Sequence, residues 1–108
     1  MKYIFDIDGT ICSDTKGDYF KAKPNFNRIQ IINNLFEIGN EIVIFTARGM
    51  GTFDNDQIKA KGKWESFTID QLSMWGVKYH DLIFGKPSGD YYIDDKGISD
   101  KDFFGQEL

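Results

Sequence analysis

The chain has 108 residues and a mass of 12.5 kDa, so we expect residues 1–108 to form a single domain. Its net charge of −4 argues against a large electrostatic surface for nucleic acid. One cysteine cannot form a disulfide within the chain, and neither a signal peptide nor an apolar run of the ~20 residues that span a membrane is apparent. We therefore expect a cytoplasmic protein without a membrane partner.

Apolar runs rich in β-branched and aromatic residues predict four strands. These runs are Lys2–Ile7, Glu41–Phe45, Asp81–Phe84 and Asp90–Ile93. Apolar residues recur at helical spacing in Asn27–Ile38 and Lys63–Trp75, and a short helix is expected around Lys101–Phe104. Strands that alternate with helices predict an α/β fold with right-handed crossovers and a mostly parallel sheet.

Two polar segments that contain glycine follow the first and second predicted strands. The first, Cys12–Lys23, is called the flap below, and the second is Gly49–Gly62. Both leave the carboxyl ends of their strands, and ligands of open α/β sheets bind at that edge. We therefore expect both segments to overhang the mouth of a binding site.

The first strand ends in the sequence Asp6-Ile7-Asp8-Gly9-Thr10. Two carboxylates with one residue between them lie ~6.5–7 Å apart if the strand stays extended. At this spacing they could share a cation, or one could act as a nucleophile and the other as an acid. The structural alternative is an aspartate-rich turn that caps a helix.

Polar residues also follow the other three predicted strands. Thr46 ends the second strand, Lys86 follows the third in a Gly-Lys-Pro turn, and Asp94-Asp95 follows the fourth. Each of these alone is common in structural turns. Because the carboxyl ends of parallel strands share one edge of a sheet, the whole set predicts one site that combines carboxylates, a hydroxyl and an ammonium group.

This set of motifs resembles that of the haloacid-dehalogenase-like (HAD) phosphatase superfamily. The motifs D-x-D-x-T, Ser/Thr, Lys and acidic pair match at Asp6/Asp8/Thr10, Thr46, Lys86 and Asp94/Asp95. The resemblance covers nearly the whole chain and implies a HAD-like fold without a cap domain, a Rossmann-like three-layer sandwich around the parallel sheet. Two strings, Thr46-Ala47-Arg48-Gly49-Met50 and Tyr92-Ile93-Asp94-Asp95-Lys96, are similar to those of small bacterial members assigned to capsule or surface-polysaccharide biosynthesis.

The resemblance also implies a mechanism in which the phosphoryl group is transferred twice. Asp6 would attack phosphorus and become an aspartyl-phosphate, and Asp8 would protonate the leaving alcohol and then activate water. Thr46 and Lys86 would bind phosphoryl oxygens. The implied Mg²⁺ ligands are Asp6, Asp8 through its carbonyl oxygen, Asp94 and Asp95, and the implied substrate-binding residues are Gly9, Thr10, Ala47 and Arg48.

An acid at position 8 favours a phosphatase over an ATP-driven pump or a dehalogenase. The gaps between the motifs are too short for a cap domain, which implies a large substrate or cover from a second subunit of a homo-oligomer. We therefore expect hydrolysis of a phosphomonoester, with a sugar phosphate of surface-polysaccharide synthesis as the substrate. The alternatives are a phosphatase of nucleic-acid 3′-phosphates or of proteins, a receiver-like phosphate-accepting domain, and a non-catalytic subunit.

Side chains near the mouth leave two interpretations each. Arg48 could bind a second anionic group of the substrate or form a structural ion pair. Tyr19 and Phe20 of the flap could stack on a sugar ring or pack against their own loop. Cys12 is expected to be a small buried apolar side chain rather than a reactive thiol.

Overall fold

Three parallel strands alternate with helices, as the sequence predicts. The computed structural model describes residues 1–105. The strands are β1 (Lys2–Phe5), β2 (Glu41–Thr46) and β3 (Asp81–Phe84), and the helices are α1 (Phe26–Glu37), α2 (Gln57–Met74) and α3 (Asp100–Phe104). The sheet order is β1-β2-β3, and both strand pairs are parallel. The carboxyl ends of all three strands therefore lie at one edge of the sheet.

The apolar core lies on one face of the sheet. Tyr3 pairs with Ile42 and Phe5 pairs with Ile44, so these four side chains point to the same side. All three helices contribute to this cluster, through residues such as Ile29, Leu72 and Phe104. On the opposite face Ile4 is 60% exposed. Residues 1–105 thus form an α/β fold with a three-stranded parallel sheet and helices, which is consistent with the expected Rossmann-like sandwich.

Side-chain caps set the starts of the two long helices. Asn25 follows Pro24 and accepts a hydrogen bond from the Arg28 N–H, which fixes the start of α1. Asp56 accepts from the N–H groups at positions 58 and 59, so α2 begins six residues before the predicted Lys63. Gly62, which the sequence placed in an irregular segment, lies within α2, because this cap and the packing of α2 outweigh the low helix propensity of one glycine.

The predicted fourth strand, Asp90–Ile93, is wrong in this structure. No strand is assigned to residues 85–99, which lie between β3 and α3. Tyr91 and Ile93 are 86% and 93% exposed. Local sequence gives these residues the composition of a strand, but a strand also needs a partner edge, and β1 pairs only with β2 within residues 1–105.

Short segments take the place of a cap domain. Residues 13–25 contain a single 3₁₀ turn at Tyr19–Lys21, and residues 47–56 form a loop of turns between β2 and α2. The sheet edge therefore has no separate domain above it in the part of the chain that the structure describes. Of the helices within residues 1–105, none combines the length and the apolar character that crossing a membrane requires.

Candidate active site

Asp6 lies directly after β1, at the carboxyl edge of the sheet. Its Oδ1 is 3.6 Å from Nζ of Lys86, and its Oδ2 accepts a hydrogen bond from the Thr10 hydroxyl at 3.3 Å. Burial raises the pKa of Asp6, while the Lys86 ammonium and a hydrogen bond from the Ile7 N–H act in the opposite direction. The structure thus brings together three residues that the sequence predicts for one site.

A tight turn after Asp8 places Thr10 beside Asp6. The carbonyl oxygen of Ile7 accepts hydrogen bonds from the N–H groups of Thr10 and Ile11 at 3.0 and 2.8 Å. Gly9 has a φ of +84°, a conformation in which a side chain would be strained. Gly9 therefore contributes the shape of the turn, and its predicted contact with substrate stays a prediction.

Cys12 lies in the same turn and is buried. Burial raises the pKa of its thiol to about 12. A thiol with this pKa stays protonated at neutral pH, so it is a poor nucleophile. The expectation of a buried apolar cysteine is confirmed.

The Asp8 carboxylate forms a two-point ion pair with Arg48. Nε and Nη2 of Arg48 each donate a hydrogen bond to a different Asp8 oxygen, both at 3.0 Å. Arg48 is only 1% exposed, so its guanidinium faces the protein interior rather than the mouth. Of the two roles considered for Arg48, the structure contains the ion pair, and the contact with substrate stays a prediction.

Thr46 links the ends of β2 and β3. Its Oγ1 accepts a hydrogen bond from the Arg48 N–H at 3.1 Å, and its carbonyl oxygen accepts one from the Lys86 N–H at 3.2 Å. Thr46 is fully buried and Ala47 is half-buried. Thr46 therefore fixes the positions of the Arg48 and Lys86 backbones. Phosphoryl binding by Thr46 and substrate binding by Ala47 stay predictions.

Lys86 lies between the Asp6 carboxylate and an aromatic ring. Its Nζ is 4.3 Å from the centre of the Tyr92 ring, and the Tyr92 hydroxyl donates to the Pro87 carbonyl oxygen at 2.6 Å. A cation over an aromatic face is stabilised by the ring quadrupole. The irregular segment after β3 thus reaches the site through Tyr92, a contact that the sequence analysis did not predict.

Asp94 and Asp95 are exposed and do not join the carboxylates of the first strand. Oδ1 of Asp94 accepts hydrogen bonds from the N–H groups of Lys96 and Gly97, the first at 2.8 Å. Without a fourth strand, nothing carries this pair to the sheet edge. Asp94 therefore caps its own turn in this structure.

The predicted Mg²⁺ site is not assembled by the described residues. Within residues 1–105 no three side chains of His, Cys, Asp or Glu converge as metal ligands would. The oxygen donors of the four aspartates suit Mg²⁺ chemically, but Asp94 and Asp95 do not lie with Asp6 and Asp8 in this structure. The cation therefore stays a prediction of the sequence, and no chemical step below is assigned to it.

The flap is fixed to the loop after β2. The Gly49 N–H donates to the Tyr19 hydroxyl at 2.8 Å, and the Tyr19 ring packs edge-on against Trp64 at 4.7 Å between centres. Gly49 has a φ of +78°, and a Cβ at this position would lie 2.9 Å from the Trp64 ring. Tyr19 therefore packs on α2 and on the loop after β2, and Phe20 packs on Phe67 of α2 at 4.6 Å, whereas the predicted packing was against their own loop.

Two contacts of the Arg48 guanidinium, with Thr68 and with Tyr19, were not predicted from the sequence. Thr68 on α2 is fully buried and accepts a hydrogen bond from Nη1 of Arg48 at 3.2 Å. The Tyr19 ring lies 4.8 Å from the guanidinium carbon of Arg48. A threonine on the buried side of α2, one turn after Trp64, was the available signal, because a buried hydroxyl requires a hydrogen-bonding partner.

Comparisons with known proteins give one informative relative. No family model matches the chain, and no curated protein does. The crystal structure of an MCSG target from Vibrio cholerae matches with a TM-score of 0.87 and 30% sequence identity. The match covers 99% of this chain and 89% of the Vibrio cholerae chain. The chain therefore belongs to the same protein family as this Vibrio cholerae protein.

Proposed function

We propose that the protein is a phosphomonoester hydrolase in which Asp6 accepts the phosphoryl group. The observation that carries the proposal is the Asp6 carboxylate at the end of β1, 3.6 Å from the Lys86 ammonium and hydrogen-bonded to Thr10. A carboxylate nucleophile beside a cation is the arrangement that phosphoryl transfer requires, because negative charge develops on the phosphoryl oxygens. The order of motifs along the chain supports a HAD-like fold for this site.

The first step is attack of an Asp6 oxygen on phosphorus. The bond between phosphorus and the ester oxygen breaks, the alcohol leaves with a proton, and Asp6 becomes an aspartyl-phosphate. Burial raises the pKa of Asp6, so the carboxylate is more basic than one in water, while Lys86 helps to keep it ionised. Lys86 also offsets the charge of the incoming phosphate.

The second step is hydrolysis of the aspartyl-phosphate. Water attacks phosphorus, releases inorganic phosphate and restores the Asp6 carboxylate. Asp8 is the proposed partner for the protons of both steps, since it is two residues from Asp6 and its side chain is 20% exposed. Protonated Asp8 gives its proton to the leaving alcohol in the first step. The resulting carboxylate, which the hydrogen bonds from Arg48 stabilise, takes a proton from the attacking water in the second step.

The open sheet edge supports a substrate that is larger than the site can enclose. Within residues 1–105 the flap, the loop at residues 47–56 and the segment after β3 border this edge, and none of them is a domain. We therefore propose a phosphorylated saccharide as the substrate, with surface-polysaccharide synthesis as the setting that the sequence resemblance favours. A second copy of the chain could supply cover for the open side.

Phosphate release from a panel of substrates tests the proposal. The panel contains hexose, heptose and 3-deoxy-sugar phosphates, a 3′-phosphorylated oligonucleotide and a phosphopeptide, each with and without Mg²⁺. We expect turnover on a sugar phosphate and a fall of about 1,000-fold or more in Asp6→Asn. Asp70→Asn, an exposed carboxylate on α2, is the matched control and should keep wild-type activity.

The remaining outcomes identify the alternatives. Turnover only on the oligonucleotide or on the phosphopeptide would replace the saccharide with that substrate. Stable phosphorylation of Asp6 without phosphate release would indicate a receiver-like domain. An Asp6→Asn variant that keeps activity within about tenfold of wild type would refute Asp6 as the nucleophile.

A further inference from the structure

Arg48 is the most deeply buried charged side chain at the candidate site. Its side chain has no exposed surface, whereas that of its partner Asp8 is 20% exposed toward the mouth. A buried guanidinium is stable only when its charge and its N–H groups are satisfied. Arg48 meets this requirement with three side-chain hydrogen bonds, two to Asp8 and one to Thr68.

These bonds fix the Asp8 carboxylate in one orientation. A planar guanidinium that donates two parallel bonds defines the plane of the carboxylate, which a single ammonium cannot do. Thr68 fixes the other side of the guanidinium from α2, because its hydroxyl accepts from Nη1 at 3.2 Å. The orientation of Asp8 is therefore determined by α2 as well as by its own turn.

The flap adds a third support to Arg48. The Tyr19 ring covers the guanidinium at 4.8 Å, the Tyr19 hydroxyl accepts from the Gly49 N–H, and the Tyr19 carbonyl oxygen accepts from Gln71 at 3.0 Å. These contacts join the flap, the loop after β2 and α2 around one side chain. A change in the flap at Tyr19 is thus transmitted to Arg48.

We infer that Arg48 is a positioning residue that orients Asp8 for proton transfer, and that Thr68 and Tyr19 hold Arg48 for this task. The inference rests on the proposed function, because it concerns the same site and the same reaction. Arg48 does not contact the substrate; it acts through the Asp8 carboxylate. Asp8 transfers protons in the chemical steps and not in substrate binding. Loss of its orientation therefore lowers kcat more than it raises KM.

Steady-state kinetics of four variants on the best substrate of wild type test the inference. Arg48→Lys keeps the charge but loses the two-point pair, and we expect kcat to fall about 100-fold with KM within about threefold. Thr68→Val removes only the hydroxyl, and we expect its kcat to be about fivefold lower than that of wild type. Thr68→Ser keeps a hydroxyl, and we expect it to keep the wild-type kcat. Tyr19→Leu should lower kcat by a similar factor.

Two controls separate positioning from loss of structure. Ile32→Ala makes a cavity in the core on α1, a helix that contributes none of the contacts of Arg48 described above, so it should lower the melting temperature with kcat nearly unchanged. In Arg48→Ala, added guanidinium ion should restore part of the lost kcat, which a purely structural defect would not permit. If Arg48→Lys unfolds, the Thr68 pair still decides the question.

Each other outcome overturns a definite statement. A rise in KM at constant kcat in Arg48→Lys would show that Arg48 binds substrate, and unchanged kinetics in both Arg48→Lys and Thr68→Val would show that the cluster is structural only. Equal losses in Thr68→Ser and Thr68→Val would remove Thr68 from the support. A wild-type protein without turnover on any substrate would refute the proposed function, and this inference with it.

Discussion

The two aspartate pairs of this protein lie in regions of opposite character. Asp6 and Asp8 follow a strand that is paired with β2 along its length, and both carboxylates contact cations. Asp94 and Asp95 follow an apolar run that pairs with nothing in residues 1–105 and stays exposed. A strand that is anchored in a sheet gives its terminal carboxylates fixed neighbours, whereas the same residue types after an unpaired run satisfy only their own turn.

Polar contacts join these two regions on two sides. Lys86 joins them on one side, through Asp6 and the Tyr92 ring. On the other side Nη1 of Arg28 donates to both the Thr10 carbonyl oxygen, at 3.2 Å, and Asp100, at 2.7 Å. The segment after β3 together with α3, residues 85–104, is called the second region below. Variants at these contacts test whether the second region contributes to the site that contains Asp6 and Asp8.

Lys86→Met should have the largest effect, since it removes the cation beside Asp6. We expect kcat/KM to fall about 100-fold on the best substrate, because the charge of the phosphate is no longer offset. Lys86 lowers the pKa of Asp6, so its loss should move the acid limb of the pH–rate profile to higher pH. Lys96→Met, an exposed lysine of the second region, is the control, and an equal loss there would contradict the assignment.

Asp100→Asn should weaken the contact between α3 and α1. The hydrogen bond from Arg28 lowers the pKa of Asp100, so its stabilising effect is complete above the ordinary aspartate value of 3.8 and is lost as the pH falls toward the lowered value. We expect a loss of about 2 kcal/mol in the free energy of unfolding at neutral pH. Chemical denaturation at pH 7 and in acid measures the free energy of unfolding of Asp100→Asn, with Asp102→Asn as the control. A loss of stability that persists in acid would exclude the ion pair as its cause.

Asp94→Asn tests whether the second region takes part in the reaction. The sequence resemblance implies that Asp94 is a Mg²⁺ ligand, and Tyr92, two residues earlier, contacts Lys86, so we expect a loss of about tenfold in kcat if the prediction holds. Asparagine keeps an Oδ1 acceptor for the N–H groups of residues 96 and 97, so the turn itself should persist. Asp90→Asn, at an exposed position in the same segment, is the control. If the two variants have equal activity, Asp94 only stabilises its own turn.

Tyr92→Leu should have the smallest effect. It removes the aromatic face from Lys86, a contact of about 0.5–1 kcal/mol at an exposed position. We expect kcat/KM to fall about threefold, since this energy corresponds to a factor of that size. Tyr91→Leu, at the neighbouring and more exposed position, should change nothing; a loss equal to that of Tyr92→Leu would indicate a general effect of the segment instead.

The parts of the fold that the sequence predicts are those that local pattern determines. β1, β2 and β3 are compact apolar runs, and α1 has a clear apolar stripe after Pro24, so all four lie where expected to within a few residues. The start of α2 was missed because its first turns are polar and contain Gly62, although Asp56 was available as a cap signal.

The errors concern contacts between distant parts of the chain. Tyr91–Ile93 has the residue types of a strand, but a strand forms only where the edge of a sheet is available to pair with it. Likewise, the sequence shows Arg48 close to Thr46, but not that the buried Thr68 and Tyr19 enclose it. Residues at the ends of strands were therefore predictable, and the network that orients them was not.

The pairing of β1 with β2 has a consequence for the time course of folding. Lys2 pairs with Glu41 and Phe5 with Ile44, residues that are roughly forty positions apart, so the intervening chain must close before this ladder forms. Such long-range closure is slow compared with helix formation, which takes about a microsecond or less. Lys86 reaches the Asp6 carboxylate only when β1 and β3 have both paired with β2. Recovery of enzymatic activity during refolding would therefore follow the formation of the sheet rather than the earlier gain of helical signal.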